Sequence, residues 1–499
     1  MAKEPSPRDV SIALASGPML GAGAGPGDAT LELARFGPVR ARRVPSLARL
    51  AQGPRAGRLA LGGLIAGALL IVALATAGPS ALVPRSTVSF PGWESGPLHG
   101  VFGRLISHAG TLEVLLSAVI VAMGIAYGVA LASVRTLSLR TIAICIVALH
   151  AILLLSPPQQ LTDLFNYLGY ARLGGLHHLN PYTNVIAQEI HDPIYRFTTW
   201  HSLRSPYGPL FTAATYPLAL TSLPVAYWTL KAATVLASLG FVALVGKCAR
   251  LLGRDPRFAI LFVAANPIFL MYAIGGFHND FFMLVPSTAA IALLLARRDR
   301  AAGAVLMIAV AVKFTAILLL PFLLVAAFTS RRRLAILTGA GLAAVPLVAL
   351  SVVLFGLSIP NLSQQSTLLT GLSIPNIAGL VIGIGGGTPA LLRVANVALV
   401  LAVFLLLRRR HDWLSGAGWS TFALIASLAW LVPWYVIWLL PLAALGTSIR
   451  LRRAALALTV FLVLTFIPMT GSLLSHLGVN PMSTAVGQAS HRLQDKLAR

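Results

Sequence analysis

Long apolar runs separated by short polar segments organise this chain. The runs cover residues 59–77, 111–132, 141–156, 225–246, 258–275, 281–296, 302–312, 314–328, 334–357, 389–407, 416–432, 434–448 and 452–471. A helix crosses a bilayer with ~20 apolar residues. Lipid offers no partner for backbone N–H and C=O groups, so such runs are helical. We therefore expect an all-α, polytopic transmembrane bundle of about 13 spans over residues 59–471. The stretch 209–223 is apolar too, but it is punctuated by Pro209 and Pro217 and followed by Pro224, and reads as re-entrant or interfacial. Residues 1–58 read as a basic, disordered cytoplasmic tail and 472–499 as a short C-terminal tail. No short apolar leader with a cleavage site stands at the start, so the first span is expected to be retained.

Composition supports the membrane reading. Hydrophobic residues make up 57% of the 499 positions and charged residues 10%, against roughly 25% charged in soluble domains. The formal charge of +24 would suggest nucleic acid if it covered a soluble face. Instead it lies in clusters between apolar runs: Arg35 to Arg58, Arg135 and Arg140, Lys247 to Arg257, Arg297 to Arg300, Arg331–Arg333, Arg408–Arg410 and Arg450 to Arg453. Basic residues mark the cytoplasmic side of membrane proteins. With the amino terminus inside, every cluster falls on that side, although the spans rest on hydropathy alone. The charge therefore indicates topology and contact with the bilayer, and we expect no nucleic-acid partner. Cys145 and Cys248 have neither disulfide context nor metal-ligand spacing. The glycines of 383–387 lack the lysine and helix of a phosphate-binding loop.

The same threading leaves three longer segments outside: 78–110 with Pro84, Pro91, Trp93 and Pro97, 157–208, and 358–388 with Asn361, Gln364 and Gln365. The second opens with Leu161-Thr162-Asp163-Leu164-Phe165-Asn166-Tyr167, runs through Gly174 to Tyr182 (Gly-X-X-His-X-Leu-Asn-Pro-Tyr) and reaches Ser205-Pro206-Tyr207-Gly208-Pro209. A carboxylate such as Asp163 among aromatic residues suits deprotonation of a hydroxyl; it also suits a helix N-cap or a solvated loop charge. Gly275-Gly276-Phe277-His278-Asn279-Asp280 falls in an outer turn, where paired glycines give backbone freedom. It reads either as the polar link of a helical hairpin or as a cluster facing a cavity. Lys313 sits between apolar residues and either snorkels or holds an anion such as phosphate. Pro433-Trp434-Tyr435-Val436-Ile437-Trp438 is an aromatic outer turn. All of these motifs land on one face, as an outward-opening active site requires.

In this order, over roughly 163–438, the motifs resemble the GT-C superfamily of polyprenyl-phosphate-sugar-dependent glycosyltransferases. The likeness is to the actinobacterial alpha-1,6-mannosyltransferases that build lipomannan cores. The resemblance implies an inverting plasma-membrane hexosyltransferase that moves a sugar, mannose first, to a glycan or glycolipid acceptor on the extracytoplasmic face. Its donor would be a polyprenyl-phosphate sugar. One carboxylate base suffices for inversion, and Asp163 takes that role, whereas hydrolases use a pair. His278, Lys313, Arg172 and Arg204 are candidates for the departing phosphate. Tyr167, Asn180, Tyr182, Tyr207, Asn279, Asp280, Trp434 and Tyr435 are candidates for sugar and acceptor contacts. No cofactor and no divalent metal are expected. Many superfamily members carry their acidic residue after the first span, which makes Glu94 the alternative base. A transporter or flippase is the rival reading, but it predicts midplane charges and related halves, whereas these charges gather at one surface.

Overall fold

The computed structural model describes residues 53–77, 91–102, 106, 108–159, 163–408 and 410–498. Most of the expected N-terminal tail, the Pro84 portion of the first outer segment and Leu161-Thr162 lie outside the described residues. Of the two units into which the chain divides, 1–46 and 47–499, the second carries every described residue. Within it all regular structure is helical, with no strand among the described residues.

Each apolar run is helical, but not every run is one helix. Pro54–Ala77, Ala109–Ala132, Leu223–Leu251, Ser330–Phe355 and Pro389–Leu406 are long and apolar enough to cross a membrane, and Ile449–Phe466 and Met469–His476, bent by 68° at their break, are so only when taken together. The run expected at 258–275 breaks at Asn266-Pro267. Pro256–Ala264 ends there, the Asn266 Oδ1 accepts from the Ile268 N–H at 3.0 Å, and a π-helix covers Phe269–Ile274. Proline has no N–H for the ladder, so asparagine caps the restarted turn. The run at 314–328 is likewise a 3-10 turn, Phe314–Leu319, followed by Leu320–Ala326. The 209–223 stretch holds a single short helix, Pro209–Ala219.

The segment expected as an outer loop contains a buried helix, Asp163–Gly175, packed on Pro209–Ala219. Apolar flanks face outward elsewhere. Pro389–Leu406 has no buried residue, and Val345, Val348 and Val353 are exposed on Ser330–Phe355, as lipid-facing helices require.

Arginines gather at one end of the bundle. Arg257 donates to the carbonyls of Arg135 and Leu137, Arg254 and Arg452 donate to the Gly446 carbonyl, and Arg332 pairs with Asp299 at 2.7 Å. Gly446 follows the carboxyl end of Val436–Leu445, where the helix dipole favours cations. The Asp299–Val312 helix starts at this end and finishes at Lys313. Fourteen residues span about 20 Å, so the motif residues lie at the far end from the arginines. Asp280–Leu295 runs the other way and leads into Arg297 and Arg298.

Candidate active site

At the far end a cavity of about 340 Å³ opens among Asp163, Tyr167, Tyr207, Asn279, Asp280, Lys313, Trp434 and Tyr435, which separate motifs supply. It is also lined by Tyr170, Trp200, Trp430, Trp438, Gln365 and Asn396. A smaller apolar annex, about 60 Å³ and lined by Met283, Leu284 and Ile291, shares Thr315, Leu424 and Trp438 with it.

Two acid–base pairs stand here: Asp163, Asp280 and Lys313 line the cavity, whereas His278, a candidate phosphate contact, is buried against Trp434 and is not part of the lining. Asp163 stands in the first turn of its helix, where an anion suits the amino-terminal dipole. Its Oδ2 lies 3.3 Å from the His278 Nδ1. The His278 ring is 1% exposed and stacks on Trp434, with centroids 3.7 Å apart and planes 12° off parallel. The second pair is Asp280 with Lys313. The Asp280 Oδ1 accepts from the Lys313 Nζ at 2.7 Å and from the Trp438 Nε1 at 2.6 Å. Asp280 is 1% exposed, and neither its Oδ2 nor the Asn279 Nδ2 has a partner among the described residues. Buried polar atoms are nearly always paired, so two open ones lining one cavity point to a polar ligand.

The local chain explains how these groups meet. After the π-helix, Gly275 and Gly276 turn the backbone tightly. The positive φ that paired glycines suggest falls instead on Phe277, at 52°. The glycines are needed for space. A side chain at Gly275 would meet the Met271 carbonyl, and one at Gly276 would meet His278 and the Tyr272 carbonyl. Gly208 is similar: its N–H donates to the Val312 carbonyl at 3.1 Å, and a Cβ there would strike the Ala311 carbonyl. That bond sets Tyr207 beside the end of the Lys313 helix.

Tyr167 packs edge-on against Tyr207, 4.8 Å between centroids, and its hydroxyl accepts from the Asn279 N–H at 3.2 Å. Burial, then the charges of Asp163 and Asp280, holds the Tyr167 hydroxyl well above its ordinary range, so it stays a neutral donor. Lys313 also lies over the Tyr435 and Trp438 rings, at 5.2 and 4.9 Å.

Other motif residues sit elsewhere. Arg172 forms a fork on Asp192 at 2.8 and 2.9 Å, joined by the His177 Nε2 at 2.7 Å. Arg204 is exposed. Asn180 ties the Phe355 carbonyl at 2.8 Å, and the Tyr182 hydroxyl holds the Tyr207 carbonyl at 2.9 Å. None of these four lines the cavity. Glu94 is also absent from the lining. It is 1% exposed, beside Lys231 and beneath a turn that Tyr227 and Trp228 pin through the carbonyls of Glu94 and Trp93. Trp438 could have been read from its motif, one helical turn beyond Trp434 and Tyr435. Trp200, Trp430, Gln365 and Asn396 stand in no chemistry-bearing motif, and only the fold brings them in. No group of three or more His, Cys, Asp or Glu converges as a metal site among the described residues.

Two family descriptions match the chain: "Alpha-(1->6)-mannopyranosyltransferase, N-terminal domain" over residues 60–329 and "MptB C-terminal domain" over 367–490. Alpha-(1->6)-mannopyranosyltransferase A of Mycobacterium tuberculosis is 28% identical over 347 residues, covering 61% of this chain and 65% of that protein. Alpha-(1->6)-mannopyranosyltransferase A of Corynebacterium glutamicum is 28% identical over 178 residues, 34% of this chain and 35% of that protein. The chain thus aligns with just under two thirds of the first relative's length and about a third of the second's. No solved structure matches.

Proposed function

The chain belongs to the alpha-(1->6)-mannopyranosyltransferase family, and from that premise we propose that it transfers mannose from a polyprenyl-phosphate carrier to a glycan or glycolipid acceptor. The observation that carries the reading is that Asp163, with His278 beside it, and the Asp280–Lys313 pair line one cavity.

In this reading the acceptor hydroxyl attacks the anomeric carbon of the mannosyl donor and gives its proton to Asp163. The bond from that carbon to the phosphate oxygen breaks, and the polyprenyl phosphate leaves with the electron pair. Inversion turns a β-linked donor into an α-linked product. His278, stacked on Trp434, lies 3.3 Å from the Asp163 carboxylate without a hydrogen bond to it among the described residues, and would favour the carboxylate's charge if protonated. Lys313 faces the charge that grows on the phosphate. Its attachment to Asp280 restrains the ammonium before substrate arrives. The open Asp280 Oδ2 and Asn279 Nδ2 suit sugar hydroxyls. Tyr167, Tyr207, Trp434 and Tyr435 supply the aromatic wall, and the apolar annex beside Thr315 suits a lipid-linked donor. The scheme calls for no divalent cation.

The arginine end, some 20 Å from the cavity along one helix, supports an extracytoplasmic site in the plasma membrane. The test is transfer by purified protein with radiolabelled polyprenyl-phosphate mannose and a short mannoside, comparing wild type with Asp163→Asn. Loss of a general base should slow turnover about 10²- to 10⁴-fold while the fold persists. Full activity in the variant would remove Asp163 from the role. Inert wild type with every lipid-linked sugar tried would remove the transferase itself.

A further inference from the structure

The same cavity is lined by two tryptophans, Trp200 and Trp430, that the reaction scheme does not use. They meet edge-on, with ring centroids 5.9 Å apart. Both rings are partly exposed, and neither indole N–H has an acceptor among the described residues. Two amide side chains, Gln365 and Asn396, with no hydrogen-bond partner among the described residues, line the same space.

The tryptophan pair is built rather than incidental. The Asn166 Oδ1 accepts from the backbone N–H groups of Thr199 and Trp200, each at 3.2 Å. Asn166 stands one helical turn from Asp163, so Trp200 is referenced to the proposed base. On the other side the Thr370 Oγ1 accepts from the Leu431 N–H at 3.1 Å, and the Thr370 N–H donates to the Ala429 carbonyl at 3.0 Å, which fixes the backbone on both sides of Trp430. From behind, Leu493 and Leu497 of the Ala485–Ala498 helix pack with Leu203 and Leu368 against both rings. That helix is anchored in turn: the Ser202 N–H donates to the Leu497 carbonyl at 3.0 Å, and the Ser490 Oγ accepts from the Leu369 N–H at 2.7 Å.

We propose that Trp200 and Trp430 form a subsite for the acceptor glycan, gripping sugar units beyond the one that receives mannose. This rests on the transferase reading above. Pyranose rings have apolar C–H faces that lie on aromatic rings, while their hydroxyls meet indole N–H and amide groups. A lipid tail would use the rings and leave those donors and acceptors unmet, so the polar complement favours a sugar chain. The anchored C-terminal helix holds the subsite at a set distance from Asp163.

The test compares α-linked mannosides of two and six units as acceptors. Wild type should show a KM roughly tenfold lower for the longer one, which is about 1.4 kcal/mol of extra contact. Trp200→Ala and Trp430→Ala should raise the KM of the six-unit acceptor and erase that preference, while Trp200→Phe and Trp430→Phe should keep most of it. A preference retained by the alanine variants, or absent from wild type, overturns the subsite. A rise in the donor KM instead would assign the tryptophan pair to the lipid and overturn the subsite equally. Calorimetric binding of the six-unit mannoside reads the subsite without turnover. If wild type transfers nothing, the transferase reading falls, while binding that the alanine variants lose still supports the subsite and binding they keep refutes it.

Discussion

Glu94 is held in an environment that suits its acid and penalises its anion. The residue lies in the turn Gly92–Glu94, and neither carboxyl oxygen has a hydrogen-bond partner among the described residues. Burial, partly offset by the positive charge of Lys231, raises its pKa from 4.5 to about 8. The sign follows from linkage. The docked turn keeps the proton that the detached turn loses, so docking is strongest below pH 4.5, weakens as pH rises through the interval and levels off above 8. At about 1.36 kcal/mol per pH unit, the 3.5-unit interval from 4.5 to 8 amounts to about 5 kcal/mol. Glu94→Gln keeps the shape and removes the titration. The assay is hydrogen exchange at the backbone amides of Glu94, Leu98 and His99, which donate to the carbonyls of Pro91, Ser95 and Gly96. Protection in wild type, corrected for intrinsic rates, should fall between pH 5 and 8.5, while the glutamine variant stays flat. Equal slopes in the two proteins would refute the argument, because the proton would then reside elsewhere.

The Asp280–Lys313 pair should show itself in a double-mutant cycle. Lys313 keeps 21% of its side chain exposed, so each of Asp280→Asn and Lys313→Met should cost about 2 kcal/mol, below the figure for a wholly buried pair. The double variant should fall about 1 kcal/mol short of their sum, read by unfolding in mixed detergent; strict additivity would deny the coupling. Gly276→Ala places a methyl group against His278 and the Tyr272 carbonyl. It should cost about 2 kcal/mol of stability and slow transfer by displacing His278, and a variant unchanged in both respects would count against the tight-turn account.

Hydropathy located the helices because lipid imposes one rule on every crossing segment. It could not see where a run breaks, since Asn266-Pro267 and the turn at Phe314–Leu319 lie inside apolar sequence. The Asp163–Gly175 helix escaped for a different reason. It is buried over most of its length, including Asn166 and Gly169, which read as loop residues, so no polar face marks its period. At the site, Asp163, Tyr167, Tyr207, Asn279, Asp280, Lys313, Trp434 and Tyr435 were legible because polar or aromatic groups stand out against apolar surroundings. The same signal drew in Arg172, Asn180 and Tyr182, which hold neighbouring segments in place. Sequence marks that a polar residue has a task; only packing distinguishes residues that line the cavity from those that brace neighbouring segments.

The hydrogen bond from Trp438 to Asp280 bears on how such chains can diverge. The two partners belong to different matched segments, 60–329 and 367–490. The stack of His278 on Trp434 crosses the same boundary. Neither segment alone lines the whole cavity, so the seam between them runs through it. A recombinant that inherits one segment from a distant relative keeps the settings of Asp280 and His278 only if the tryptophans arrive in register with them. Drift in either half is answerable to the other, and the pair must be treated as a single unit of inheritance.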